Sequence, residues 1–465
     1  MSRSLLLLSV LPLACTSALA AAPVWPAPPT PVASLVAEAE RSNLALAGES
    51  LEVERAAARL EEARSHFLPR VDLAARYSRA DGGRSIDFPV GDLLNGAYAT
   101  LNQYLASQGQ PARFPTLSNQ SIPLLRDREQ ETKLKVVQPL YAPEISGGVR
   151  AAKAGLAACN SQLAAFRRQL RADVQEAYFR YQQAAAAVDI HTSALQLVRE
   201  SLRVNRSLSA QDRITDDIVL RAEAEVSAVT QQTQEATRDR DLARSYLNFL
   251  LNRPLETAIE TFPAEAAASY ASSLRQCGVD AADIAGREEL SALQQAETAA
   301  RANTSAIDAR RRPTVALAVE GGIQGESYGF GSGRNYTLGS LVMEWNLFDG
   351  HQRRSAVNQA RIDERQAARR LAETRQQFGL QLQQARDDFT VGLTGLESAR
   401  LRREAARAVY RLVARREAEG LANQITVLDA RNTLTAAELN YVITEARLFT
   451  AAAHLDRAAA LSPLP

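Results

Sequence analysis

The sequence predicts a mainly helical chain with a small β portion, built twice from one unit of short strands and very long helices. Three observations carry this. The junction Gln138-Pro139-Leu140-Tyr141 has a second copy at Trp345-Asn346-Leu347-Phe348, and each copy ends a β-like run and opens a long helical tract. Each is preceded by another β-like run, starting at Pro69-Arg70-Val71 and at Pro313-Thr314-Val315. Alanine, leucine, arginine, glutamate and glutamine dominate the 465 residues and aromatics make up only 6%, a profile of long helices rather than compact α/β domains.

In chain order, residues 1–20 read as an export signal. Arg3 gives the positive start, Leu5 to Leu13 the apolar core and Ala18-Leu19-Ala20 a small-x-small cleavage site, with Ala22 nearby as a second. The apolar stretch is too short to span a bilayer as a helix. Leu13-Ala14-Cys15 leaves lipidation at Cys15 open, although Pro12 stands where a lipobox wants an aliphatic residue.

The first repeat is expected over 21–250. A helical pattern from Val32 to Ser65 leads to a strand over about 70–78, with Val71, Leu73, Ala75 and Tyr77 on one face and Asp72, Arg76 and Ser78 on the other. A long loop, 79–130, holds Gly82-Gly83, Pro111, Pro115 and Pro123, and a loop of that length is usually functional or disordered. A second strand spans 132–141, with Pro139 placed near its end where a missing N–H matters least. Pro143 suits the first turn of a helix. The helical hairpin over 143–251 has a first arm of on the order of 100 Å at 1.5 Å per residue and a polar break at Gln211 to Asp217. Residues 251–280 form a linker.

The second repeat is expected over 281–460. A helix runs from Ala281 to Ala309, followed by strands over 314–322 and 336–348 that flank a glycine-rich turn. The hairpin over 351–455 breaks at Gly420, a normal residue at a helix C-terminus. Residues 461–465 form a tail. The two junctions lie about 207 residues apart and the two breaks keep nearly the same offset, which marks a true duplication.

Function classes narrow from the same residues. A net charge of +1 gives no global field for nucleic acid. Cys159, Cys277 and the four histidines stand in no metal-ligand spacing, so no metal or cofactor is expected. Gly329-Phe330-Gly331-Ser332-Gly333 lacks the Lys-Ser/Thr of a phosphate loop, and no acid pair stands out for glycan hydrolysis. No catalytic constellation is found, and the chain is not expected to be an enzyme. No apolar run can cross a bilayer as a helix, so any spanning role falls to amphipathic strands in a closed barrel. Four strands cannot close a useful channel alone, whereas several chains together can.

The order, spacing and duplication of these motifs resemble the bacterial outer-membrane efflux proteins of the TolC type. The marks are the Pro-Arg-Val and Pro-Thr-Val strand starts, Gln138-Pro139-Leu140-Tyr141, Trp345-Asn346-Leu347-Phe348-Asp349-Gly350, and the stretch from Gly420 to Ala430. The resemblance covers about Val32 to Ala460. It implies a homotrimer with a shared 12-stranded transmembrane β-barrel in the outer-membrane lipid, continuous with a periplasmic α-helical barrel. The implied function is a passive exit duct for efflux or type I secretion. Its partners would be a periplasmic adaptor (membrane fusion) protein and an inner-membrane transporter of the RND, ABC or MFS type. The alternative is a periplasmic helical scaffold or adaptor without a channel.

The helix breaks are then the candidate gate. By the resemblance, Asp429 matches an acidic entrance position; Thr426 stands where a second acid can occur, and Ala422 where a gating arginine can occur. Asn423, Asp216, Asp217, Arg213 and Arg221 complete the tip candidates, and Arg221 fills in the first repeat the slot that Asp429 fills in the second. Pro139, Tyr141, Pro143, Phe348 and Gly350 are expected at the strand–helix junctions.

Overall fold

The computed structural model describes residues 25–278, 282–419 and 421–464. The expected export signal, Cys15, the start of the Ala281 helix and the break residue Gly420 lie outside the described residues. The chain divides into two compact units: Met1–Ala57 with Ala154–Thr298 and Arg365–Pro465, and Ala58–Lys153 with Ala299–Glu364. Among the described residues no helix is long and apolar enough to cross a membrane.

The unit formed by Ala58–Lys153 and Ala299–Glu364 holds a four-stranded antiparallel sheet in the order β1 (Arg70–Arg79), β4 (Arg128–Tyr141), β5 (Thr314–Gly325), β6 (Asn335–Glu344). Register sorts its side chains into two faces. Leu73 opposes Leu134, Val71 opposes Val136, Val136 opposes Val319 and Leu317 opposes Leu341, all on one face. Arg76 opposes Glu131, and Lys135 opposes both Asp72 and Glu320, on the other. Pro139 is tolerated inside β4 because the pairing with β1 ends at Val137; beyond it only β5 runs alongside, with a register shift between Pro139 and Tyr141.

Two expectations fail in this unit. The segment 79–130 is not an irregular loop. It contains a two-stranded ribbon, β2 (Ser85–Phe88) and β3 (Gln120–Pro123), and an 18-residue helix, α3 (Val90–Ser107). The last strand does not reach 348. It stops at Glu344, which pairs with Thr314, and the preceding Pro313 has no N–H with which to extend the ladder.

The other unit is helical. Its core joins α1 (Thr30–Ser42), α4 (Pro143–Ser209), α5 (Asp216–Leu250), α6 (Ala264–Arg275), α8 (Gln352–Ala418) and α9 (Gln424–Ala459) through Val32, Val174, Phe179, Leu247, Leu274, Phe389 and Phe449. Phe179 and Phe449 rings meet at 5.2 Å. Tyr178 Oη donates to Glu260 O at 2.9 Å and Tyr181 Oη to Ile259 O at 3.1 Å, which seats the segment before α6 on α4. Small buried side chains along α9, among them Ala437, Ala452 and Ala453, permit close helix approach. The helical tract expected from Val32 to Ser65 divides at Asn43. Its Oδ1 accepts from Leu46 N at 3.0 Å, capping α2 (Leu44–Ser65), while its Nδ2 donates to Leu250 O at 2.9 Å. The described part of the 281–309 tract becomes helical, as α7, only over Glu288–Ala309.

Candidate functional site

The two faces of the sheet differ sharply in chemistry. On the apolar face Leu73, Leu341 and Met343 are 74%, 70% and 63% exposed. The opposite face carries a bonded polar cluster. Lys133 Nζ reaches Glu131 at 3.0 Å and Glu320 at 3.9 Å, Arg76 reaches Glu131 at 3.4 Å, and Tyr336 Oη donates to Glu131 at 3.2 Å. Gly322 lets β5 pass closely beside β4, since a Cβ there would stand 2.8 Å from Lys133 Cα. Among the described residues β1 and β6 each have a strand on one side only, which leaves both long edges of the sheet open.

The two strand–helix junctions use different devices. At the first, Tyr141 ends β4 and Pro143 is the first residue of α4, as the sequence predicts. At the second, a turn intervenes. Asp349 Oδ2 accepts from Arg353 N at 3.1 Å and from Arg353 Nε at 3.2 Å, and Gly350 takes φ +63°. These contacts, with the guanidinium beside it, hold the Asp349 carboxyl below its usual range despite some desolvation. Trp345 Nε1 donates to Arg311 O at 3.1 Å. Tyr141, Trp345 and Phe348 are all exposed where the strands give out.

At the helix breaks, most of the predicted residues serve local turns. Ser209 Oγ donates to Asp216 Oδ1 at 2.8 Å, Thr215 Oγ1 donates to Asp217, and Arg221 lies 3.8 Å from Asp217 in an exposed pair. Asn423 caps α9 by accepting from Thr426 N at 2.9 Å and Thr426 Oγ1 at 2.7 Å. Arg213, Arg221 and Asp429 are exposed. Ala222 and Ala430, which follow Arg221 and Asp429, are both buried.

Near the breaks, the polar contacts that join the two hairpins come from residues that the sequence does not single out. Gln424 Nε2 donates to Ser201 Oγ at 2.8 Å and to Asn205 Oδ1 at 2.9 Å, tying α9 to α4. Arg431, only 5% exposed, reaches Glu225 on α5 at 2.8 Å and Asn432 Oδ1 at 3.0 Å. Further along α9, burial raises the Glu445 carboxyl above its usual range, and Tyr441, which donates to it at 2.9 Å, is pushed up to about 12 by burial and by that carboxyl. The missed signal was helical spacing: Gln424 and Arg431 stand seven residues apart, two turns along one face.

Residues 283–461 match the family model described as outer membrane efflux protein. No curated protein sequence matches the chain at a significant level. Solved structures do match by fold. The CmeC outer membrane channel of Campylobacter jejuni has a TM-score of 0.74 at 14% identity, over 92% of this chain and 85% of that one. The outer membrane protein VceC of Vibrio cholerae has 0.72 at 16%, over 92% and 95%. The open state of the MtrE outer membrane channel of Neisseria gonorrhoeae has 0.70 at 19%, over 92% and 88%. The chain thus matches the outer membrane efflux protein family through residues 283–461 and shares the fold of solved outer-membrane channels over 92% of its length.

Proposed function

We propose that the chain is one protomer of an outer-membrane exit duct, a passive conduit with its long helices in the periplasm. The observation that carries this is the sheet: four antiparallel strands with an exposed apolar face, a charged face and two open edges. Such a sheet is stable in a bilayer only if its edges are closed, which three copies would do as a twelve-stranded barrel. The apolar face would meet lipid and the Glu131–Lys133 face would meet the aqueous lumen. Exposed Tyr141, Trp345 and Phe348 at the strand ends suit the aromatic girdle of a membrane boundary.

The duct has no catalytic task in this reading. Energy would come from an inner-membrane transporter of the RND, ABC or MFS type, coupled by a periplasmic adaptor at the helix tips. The exposed Asp429 carboxylates of three copies would form an acidic ring at the entrance, which favours cations by field alone. Asp216, Asp217, Arg213 and Arg221 would line the same entrance, and Asn423 with Thr426 would fix where α9 begins. Opening would part helix contacts between two packings.

Fractionation tests the reading. The protein is expected in urea-washed outer membranes, and its detergent-purified mass by light scattering is expected to be three times that of the mature chain. A monomer in the soluble periplasmic fraction would instead support a helical scaffold without a channel.

A further inference from the structure

Among the described residues, the insertion 79–130 leaves two apolar surfaces exposed. α3 is held by its polar side. Asn95 Nδ2 donates to Leu117 O and Leu117 N donates back to Asn95 Oδ1, both at 2.8 Å. Seven residues on, Asn102 Nδ2 donates to Phe114 O at 2.8 Å, and Arg113 N and Phe114 N donate to Asn102 Oδ1 at 3.1 Å. Asn119 Oδ1 accepts from Gly91 N at 3.0 Å and Asp92 N at 3.2 Å, capping the helix. The asparagines bind the returning chain much as a neighbouring strand would, so the orientation of the helix is fixed.

That orientation turns an apolar stripe outward. Val90, Leu93, Ala97, Leu101 and Tyr104 recur every three or four residues, the spacing of a helix-packing seam. Leu93, Leu101 and Tyr104 are 73%, 44% and 64% exposed. The ribbon offers a second apolar surface. Ile86 opposes Ile122, and Phe88 and Leu124 share their face, each about half exposed. Patches of this kind mark interaction sites.

We propose that the α3 stripe of one copy packs on the β2–β3 ribbon of the next copy. The proposal rests on the multi-chain reading of the sheet. Three observations favour a second copy over lipid. α3 carries one acid, Asp92, and no lysine or arginine, whereas a helix lying on a membrane surface is rich in basic residues on its polar face. Its polar face is already occupied by Asn95 and Asn102. The insertion springs from Arg79 at the end of β1, an open edge, so its neighbour there is the chain that pairs with that edge. A stripe meeting a different patch is a head-to-tail contact, which closes when the copies form a ring.

Disulfide trapping in intact outer membranes tests this, with Cys159 and Cys277 replaced by serine. Leu101→Cys with Ile122→Cys should yield covalent dimers and trimers on oxidation. Gln103→Cys with Ile122→Cys, off the stripe, should yield at least about fivefold less. The emission that Leu101→Trp adds to that of the native Trp25 and Trp345 should resist quenching by brominated lipid. A trimeric mass without cross-links, or strong lipid quenching, overturns the contact and leaves the duct reading standing. A monomeric mass overturns both.

Discussion

Glu225→Ala should loosen the start of α9 without unfolding the helical unit. Arg431 is almost wholly buried and its guanidinium has two partners, the Glu225 carboxylate at 2.8 Å and Asn432 Oδ1 at 3.0 Å. Removing one partner of a fully buried ion pair costs about 3–5 kcal/mol, because the charge left behind stays desolvated. Glu225 keeps 28% of its side chain exposed, so water can replace part of the carboxylate, and the expected cost falls to about 2 kcal/mol. At about 1.4 kcal/mol per decade that is roughly thirtyfold in the equilibrium between docked and parted helices. Alanine is a better helix former than glutamate, so any loss comes from the contact and not from propensity. Amide hydrogen exchange reads it directly: residues of α9 next to Arg431 should exchange about thirtyfold faster. Glu223→Ala is the control. It removes an equally short contact, to Arg206 at 2.7 Å, in which both side chains are well exposed, and should cost less than about 1 kcal/mol. Equal exchange in Glu225→Ala and the parent, or an equal effect of the two variants, would show that the Arg431–Glu225 contact does not hold α9 in place.

Other perturbations follow from the same geometry. Glu445 binds its proton more tightly when folded because of burial. Such a carboxyl favours the native state as pH falls and loses that contribution as pH rises through its folded pKa. Glu445→Gln should therefore stabilise the protein more at pH 7 than at pH 4 in thermal melts, and a constant difference would contradict this. Asn102→Ala removes three hydrogen bonds from the α3 clamp and should expose the 108–118 segment to protease at least tenfold faster, a local cost of about 1–3 kcal/mol; unchanged cleavage would show that other contacts hold the insertion. Phe389→Ala opens a cavity beside Trp25, whose ring lies 5.8 Å away, and should cost about 3–5 kcal/mol. Urea unfolding would show a markedly lower midpoint, and an unchanged midpoint would place that ring outside the stabilising core.

The parts legible in the sequence were those fixed by local chemistry. Pro143 opens α4 because proline suits a first helical turn, and the alternation of Val71 and Leu73 with Asp72, and of Leu341 and Met343 with Ser340 and Glu344, marks two-faced strands. α3 was not legible because Gly91 and Gly96 interrupt its pattern, and Asn95 and Asn102, which normally signal turns, here bind a distant backbone. The end of β6 was set by where its partner begins, which Trp345 and Leu347 alone do not reveal. At the tips, charged residues drew attention because they are charged. Asp216 and Asp217 bind their own turn, whereas the polar link between hairpins near the breaks is made by Gln424 and Arg431. Exposure cannot be read from residue type, and it decides which ion pair matters.

The central claim is that the charged face of the sheet lines a conducting lumen. It is tested most directly by recording single channels in planar bilayers from the variants Lys133→Cys and Leu73→Cys, with Cys159 and Cys277 replaced by serine, before and after a bulky water-soluble thiol reagent. Discrete channels are expected, with a unitary conductance that drops on modification at Lys133→Cys and is unchanged at Leu73→Cys. Channels blocked only through Leu73→Cys, or no channels from the purified protein, would contradict it.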